Sequence, residues 1–569
     1  MNNNDQLFFS IFKNKYLMQK IYCFYYDYTV LRNITDLDKK HNHISSLHHQ
    51  IPIVYHLQTL DHYVIYNSHK HKHLITHFIL STRFYLNHLN VLQQQNNTTT
   101  TPIIFGISIN DRNDPILFAH QLPPSIKYYR FKLTETVTKN HIPPSVTSIY
   151  LESLPIDVGV IPNNVKTLAL YISNPSDDSY QINPKWFPQS LTSLTYVDVF
   201  AESGVDMSEL PKSLTYLNIK NSLTGIGHDS IKYLLNRSYE SFTVPSGVTH
   251  FHLCGGWDSF EDVVLPPSVT HFEIVKETID QFIPKIPNFL PLTLKSLSLE
   301  TCSNSSINID NCPPNLLYYS NYNERCEKVV PYIPPLAKKV ILSTDENTPN
   351  LPSIPKSVTD LSIRCSVYDY PFKGTIPNHY FTNNLVKLVF HYFGQLEPGV
   401  IPSNITDLEL GTHNPIIQGV IPCSVTKLSL LCDHVVQPII IPQSVTTLSF
   451  WDEKQVYSNT LIPNSVKTLK FSFIDFTTLK INYLPKSIST LCIDDTDSYQ
   501  GSEFEERFQI QFPNYNIDLF PSNIKLVKFT QKGDTIKRCY HFINQKVYME
   551  IDFEKDRFMY NFKKINTII

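Results

Sequence analysis

Apolar and polar residues along most of the chain fall into one recurring phrase. Ile421-Pro422-Cys423-Ser424-Val425-Thr426-Lys427-Leu428-Ser429-Leu430 returns twenty residues later from Ile441 and again from Ile462. With the proline as position 0, apolar side chains stand at −1, +3, +6 and +8, and a small polar residue at +2. Position 0 falls on Pro123, Pro143, Pro162, Pro188, Pro211, Pro245, Pro266, Pro291, Pro313, Pro334, Pro355, Thr382, Pro402, Pro422, Pro442, Pro463, Pro485 and Pro521, eighteen units. Most spacings are 19 to 23 residues; the longest, 34 before Pro245 and 36 before Pro521, are expected to be loop insertions.

The +6 and +8 positions alternate, so they share one side of a short strand, with +3 entering from the preceding turn. Proline has no N–H and a fixed φ, which suits the turn before a strand and not a ladder. Serine or asparagine at +2 is expected to hold that turn. One unit offers about four apolar side chains worth roughly 1.5–3 kcal/mol each, against a cost of about 1–2 kcal/mol per ordered residue, so a lone unit does not fold. Stacked units do, because each covers the core of the next. The pattern predicts a mainly β fold, an elongated leucine-rich-repeat-like solenoid of about 18 coils with one parallel sheet.

The same phrase resembles FNIP-repeat proteins, whose units carry Ile-Pro-x-Ser-Val-Thr-x-Leu after a Phe-Asn lead-in. The fullest match is Phe393 to Thr406, where the lead-in reads Phe-Gly. The resemblance covers roughly residues 120 to 530 and implies an interaction repeat without catalysis.

The N-terminal region, 1–92, reads as helical and His-rich, with Asp5 capping a helix through Tyr25 and a second apolar segment at Leu74 to Leu92. Its opening LFFSIFKNKYLMQKIY is similar to the F-box-like segment found ahead of FNIP repeats, over residues 5–45. That likeness implies docking to a ubiquitin-ligase adaptor; the alternative is a helical cap on the first coil. The polar run 93–101 marks the boundary to a solenoid over 102–530. Residues 531–569 read as a C-terminal cap, with a hairpin near Asn544-Gln545 closing the open edge.

Composition narrows the function. A net charge of −3 and 17% charged residues give no basic stripe for nucleic acid and no polybasic membrane patch. The start has no signal-peptide pattern and no apolar run is long enough for a membrane helix, so a cytoplasmic protein is expected. Ten scattered cysteines without a C-x-x-C pair fit reduced thiols.

Ligand-like clusters are weak. His69, His71 and His73 alternate with lysines and read as a solvated segment; Cys432-Asp433-His434 and Asp494-Asp495 read as turns, and Gly225-Ile226-Gly227 lacks the context of a dinucleotide loop. No acid, base and nucleophile assemble, so no enzyme, no cofactor and no metal is expected. The remaining surface is the outward strand face, positions +5, +7 and +9. Tyr150, Tyr171, His252, Tyr322, Arg364, His391 and Trp451 stand there and are the expected protein-binding residues. The expected partner is another protein, with a ubiquitin-ligase adaptor as the more specific alternative.

Overall fold

The computed structural model describes the strands and the turns leading into them from residue 53 to residue 531. It also describes the short strands 29–31, 535–544, 547–552 and 561–564; residues 1–28, 32–52, 93–105 and most inter-coil loops lie outside the described residues. The described residues fall into two compact units, one ending at Leu191 and the other starting at Thr192.

In each coil the same local logic runs. The N–H of +3 donates to the carbonyl of position 0, as Val425 does to Pro422 at 3.1 Å, and closes a turn whose first residue needs no donor of its own. The strand starts at +5. Strands Tyr128–Lys132, Ser148–Ser153 and Thr167–Ile172 follow Pro123, Pro143 and Pro162 in this way. Residues at −1, +3, +6 and +8 are sealed: Ile421 3%, Val425 0%, Leu428 1% and Leu430 0% exposed. Leu448 and Leu469 continue that column at 0%. The fold is the mainly β, leucine-rich-repeat-like parallel solenoid that the spacing predicts.

Side chains bind each coil to the one before it. The +2 serine was expected to hold its own turn. In several coils its hydroxyl instead donates backwards to the preceding coil, Ser424 to the Ile405 carbonyl at 2.6 Å and Ser444 to Val425 at 2.7 Å, whereas the Ser145, Ser465 and Ser487 hydroxyls are buried without a partner. The +4 threonines form a second ladder, each donating to the +4 carbonyl of the coil before, as in Thr249 to Lys232 at 3.1 Å and Thr270 to Thr249 at 3.2 Å. A third regularity escaped the sequence. Among the described residues, every positive φ falls at −3: Gly159, Gly225, Gly399, Gly419 and one non-glycine, His379 at 67°. The chain turns there through the left-handed region on its way into the proline.

The first unit holds parallel strands Thr29–Leu31, Ile53–His56, His77–Leu80, Gly106–Ile109, Tyr128–Lys132, Ser148–Ser153 and Thr167–Ile172, paired in that order. The expected helical region contains helices Leu60–Ser68 and Thr82–Asn87, the first capped by Thr59, whose side chain accepts from the His62 N–H. It is not helical throughout. Its strands carry the parallel ladder N-terminal of the 93–101 segment, so that segment does not bound the solenoid. Within Leu74 to Leu92 the order is strand His77–Leu80, then helix Thr82–Asn87. The expected helix from Asp5 and nearly all of the F-box-like segment lie outside the described residues.

The second unit runs from strand Ser193–Asp198 to strand Leu526–Gln531. Its 34-residue spacing is no insertion. A further coil sits between Pro211 and Pro245, with His228 at position 0 and Ile231, Leu234 and Asn236 at +3, +6 and +8, each 1% exposed or less. Its strand Tyr233–Asn236 pairs in register with Tyr216–Ile219 on one side and His250–Cys254 on the other. The 36-residue spacing is a true insertion, because Thr490–Asp495 pairs directly with Leu526–Gln531. After Leu526–Gln531 the pairing turns antiparallel through Thr535–Asn544, Val547–Asp552 and Asn561–Lys564, with Asn544 opposite Val547.

Candidate interaction face

Positions +5, +7 and +9 lie on the side of the sheet opposite the core columns, although +7 is buried in several coils, as at Ser298, Ser320, Ser362 and Ser449; parallel register places equal positions of successive coils side by side. In the first unit, the guanidinium of Arg130 lies 4.3 Å from the centre of the Tyr150 ring, and Tyr150 stacks on Tyr171 with centroids 5.0 Å apart. Arg130, Tyr150 and Ala169 share one rung, so the small Ala169 leaves room for Tyr171, two residues on, to lean across to Tyr150. Lys132 forms an ion pair with Glu152 at the next outward rung. A cation on an aromatic face is worth about 0.5–1 kcal/mol at an exposed site, enough to fix these half-buried rings in one arrangement.

Nearer the start of that unit, His77 lies across Gly106, where a Cβ would come within 1.7 Å of its ring, and meets Tyr128 edge-on at 5.7 Å. Burial holds the His77 ring down at a pKa of about 4, so it is neutral at physiological pH.

The second unit carries three kinds of surface along the +5 column. Tyr233, His250 and His271 stack in sequence, with centroids 4.4 and 4.2 Å apart. Farther along, Lys339, Asp360, Lys387, Asp407 and Lys427 occupy consecutive strands in one register, so opposite charges alternate. Lys427 and Asp407 approach to 3.7 Å. After Lys427 the column turns to threonine, with Thr447, Thr468 and Thr490. Opposite charges on neighbouring strands favour the observed register, and the pairing reinforces the buried columns.

Two of the expected binding residues come together around Glu409. Arg364 Nη2 lies 3.5 Å and His391 Nε2 3.4 Å from Glu409 Oε1. Burial pulls the Glu409 carboxyl up, but the His391 hydrogen bond and the charges of Arg364, His391 and Lys387 outweigh it and leave the pKa lowered. His391 has room because its rung neighbour is Gly411, whose Cβ would sit 2.9 Å from the imidazole. A third expected residue, His252, bonds Glu273 on the next strand, Nδ1 to Oε2 at 2.7 Å. That hydrogen bond lowers the Glu273 pKa, against burial and with the His252 charge.

Tyr150 and Tyr171 pair in the first unit; Arg364 and His391 share Glu409 in the second, and His252 stands in a separate patch there. Tyr322 lies on strand Tyr318–Asn323. Trp451 lies outside the described residues, as do His71, His73, Asp433 and His434. Reading the sequence for +7 and +9 missed the +5 column. Its signal was present as Thr249-His250 and Thr270-His271, the same dipeptide in successive coils. Among the described residues no three His, Cys, Asp or Glu side chains are grouped to hold a metal ion. No helix among them is long and apolar enough to cross a membrane.

Within this face lies the stretch that known proteins match. Residues 394–433 match the FNIP Repeat family. They span two coils, the first presenting both Glu409 and Gly411, and the strands Asp407–Thr412 and Lys427–Cys432 of these coils pair throughout their length. The matched stretch thus covers a pair of solenoid coils, each with its left-handed glycine, Gly399 and Gly419. Among solved structures, the chain is similar to CroV588, described as a novel circular LRR protein, with a TM-score of 0.46 and 20% identity over 84% of this chain and 72% of that one. No curated protein matches the chain in sequence.

Proposed function

We propose that this chain is a non-catalytic interaction scaffold that binds another protein through the outward strand face of its FNIP-type coils. One observation carries the reading. The core columns are apolar in most coils, while the outward +5 column changes from stacked aromatics to alternating ions to threonine. Invariant packing needs no such variety on the outside. Aromatic and arginine side chains pre-set by stacking and ion pairs are the groups that contribute most to protein interfaces, because little rotamer freedom remains to be lost on binding.

Affinity purification of the full chain followed by mass spectrometry tests this. A face variant, Tyr150→Ala with Arg364→Ala, is compared with the turn-side variant Lys356→Ala. The expected result is a set of proteins retained by wild type and by Lys356→Ala and lost from the face variant. Identical recovery from all three overturns the reading.

A further inference from the structure

We propose that His250 and His271 form a docking point for an aspartate- and glutamate-rich segment of the partner, engaged when these two rings take up protons. The inference rests on the strand-face reading above and names the chemistry of one part of that face.

The Thr249 hydroxyl donates to the Lys232 carbonyl at 3.1 Å and also lies 3.0 Å from His250 Nδ1. The Thr270 hydroxyl donates to the Thr249 carbonyl at 3.2 Å and lies 2.9 Å from His271 Nδ1. A hydroxyl has a single hydrogen, so with that hydrogen on the carbonyl Nδ1–H is the donor to the threonine oxygen in both pairs. The threonine ladder thus fixes the tautomer of both rings, leaving Nε2 as the atom that accepts the next proton. The rings are parallel to within 8°, so protonation places two like charges face to face. A carboxylate against their edges relieves that repulsion. Anion and protons therefore bind together.

The surroundings favour an acidic partner. In the +4 column the two threonines stand between Lys232 and Lys295. Lys232 Nζ donates to the Asp229 carbonyl, and the Asp229 carboxylate is taken by the Ser246 hydroxyl. Glu273, two residues beyond His271, is held by His252. On the flanking strands the outward positions are Tyr233 and Leu235 on one side and Ser296 and Ser298 on the other, with Glu300 in register opposite Val275. The Asp229 and Glu273 carboxylates are thus already bonded within the face, and two lysines border it. Burial, and then the Lys295 charge, lower the pKa of His271, so without an anion the ring stays neutral at neutral pH. A bound carboxylate raises that pKa. Affinity for acidic segments must rise as pH falls through the histidine range and fade above it.

Fluorescence anisotropy of the full chain with a fluorescein-labelled oligo-glutamate peptide reads this directly. Binding is expected to be about tenfold tighter at about pH 6 than at about pH 8. His250→Gln with His271→Gln abolishes the difference, and His250→Arg with His271→Arg binds equally at both pH values. Circular dichroism melting shows whether each variant is folded, and His271→Gln alone, at an exposed ring, serves if the double variant melts early. Equal affinity at both pH values in wild type, or a pH dependence that survives the glutamine changes, overturns the proposal. So does the same dependence with oligo-lysine. Captured partners that are indifferent to pH and to the glutamine changes, yet lost with Arg364→Ala, overturn this inference alone and leave the strand-face reading standing.

Discussion

The hydroxyl of Thr426 donates to the carbonyl oxygen of Thr406 at 3.2 Å, and Thr446 repeats the bond to Thr426 at the same distance. Valine keeps the shape and β preference of threonine and loses only this bond. Thr426→Val is expected to destabilise the second unit by about 1 kcal/mol, read as a lower denaturant midpoint at unchanged slope. An unchanged midpoint would show that water replaces the bond at no cost.

Asp407 stands between Lys387 and Lys427 on adjacent strands. Asp407→Lys places three like charges in a row. Exposed pairs of this kind contribute about 0.2–1 kcal/mol, so the loss should be of that order in dilute buffer and shrink in strong salt. A loss that is the same at high and low salt would argue against a Coulombic origin.

His379 occupies the −3 position with φ 67°, where four other coils use glycine. A side chain in the left-handed region costs about 1–2 kcal/mol, and glycine returns part of that gain through its freer unfolded chain. His379→Gly is therefore expected to stabilise by about 0.5–1 kcal/mol. His379→Val, β-branched at the same φ, should move the midpoint the other way.

His77 is held near a pKa of about 4, below its unfolded value of 6.5. Because the folded ring resists protonation, the unfolded chain binds more protons between those values. Stability contributed by this neutral ring is complete above 6.5 and declines as pH falls toward 4, by up to about 3 kcal/mol. Thermal melting of wild type and His77→Phe across that window should converge at neutral pH and separate in acid, with wild type falling. Parallel curves would remove His77 from the account.

The coil was legible because its core is written in apolar columns, aliphatic as at Val425, Leu428 and Leu430 or aromatic as at Tyr129 and Phe131. Where a coil departs from that spelling it went unread. The His228 coil has no proline and ends its inward column on Asn236, which is buried at 0%. Only its position between two strands in register gives it away. The strands Ile53–His56 and His77–Leu80 lack the turn phrase, so their place in the parallel ladder depends on neighbours distant in the chain. On the outward face the sequence names the side chains but not their partners. Glu409 meets both Arg364 and His391 because parallel register sets Glu409 one rung from them and Gly411 leaves the space. No spacing within a single coil encodes that meeting.

The backward-reaching hydroxyls carry a consequence for how such a chain can change length. From Thr147 to Thr446, eight +4 threonines find the same main-chain oxygen whichever copy precedes them, so excising or duplicating one whole period leaves the junction with interchangeable donors and acceptors. Removing a few residues inside a period does not, since it slides each later strand off its acceptor. Variation in copy number is thus cheap for this architecture and variation in phase is not.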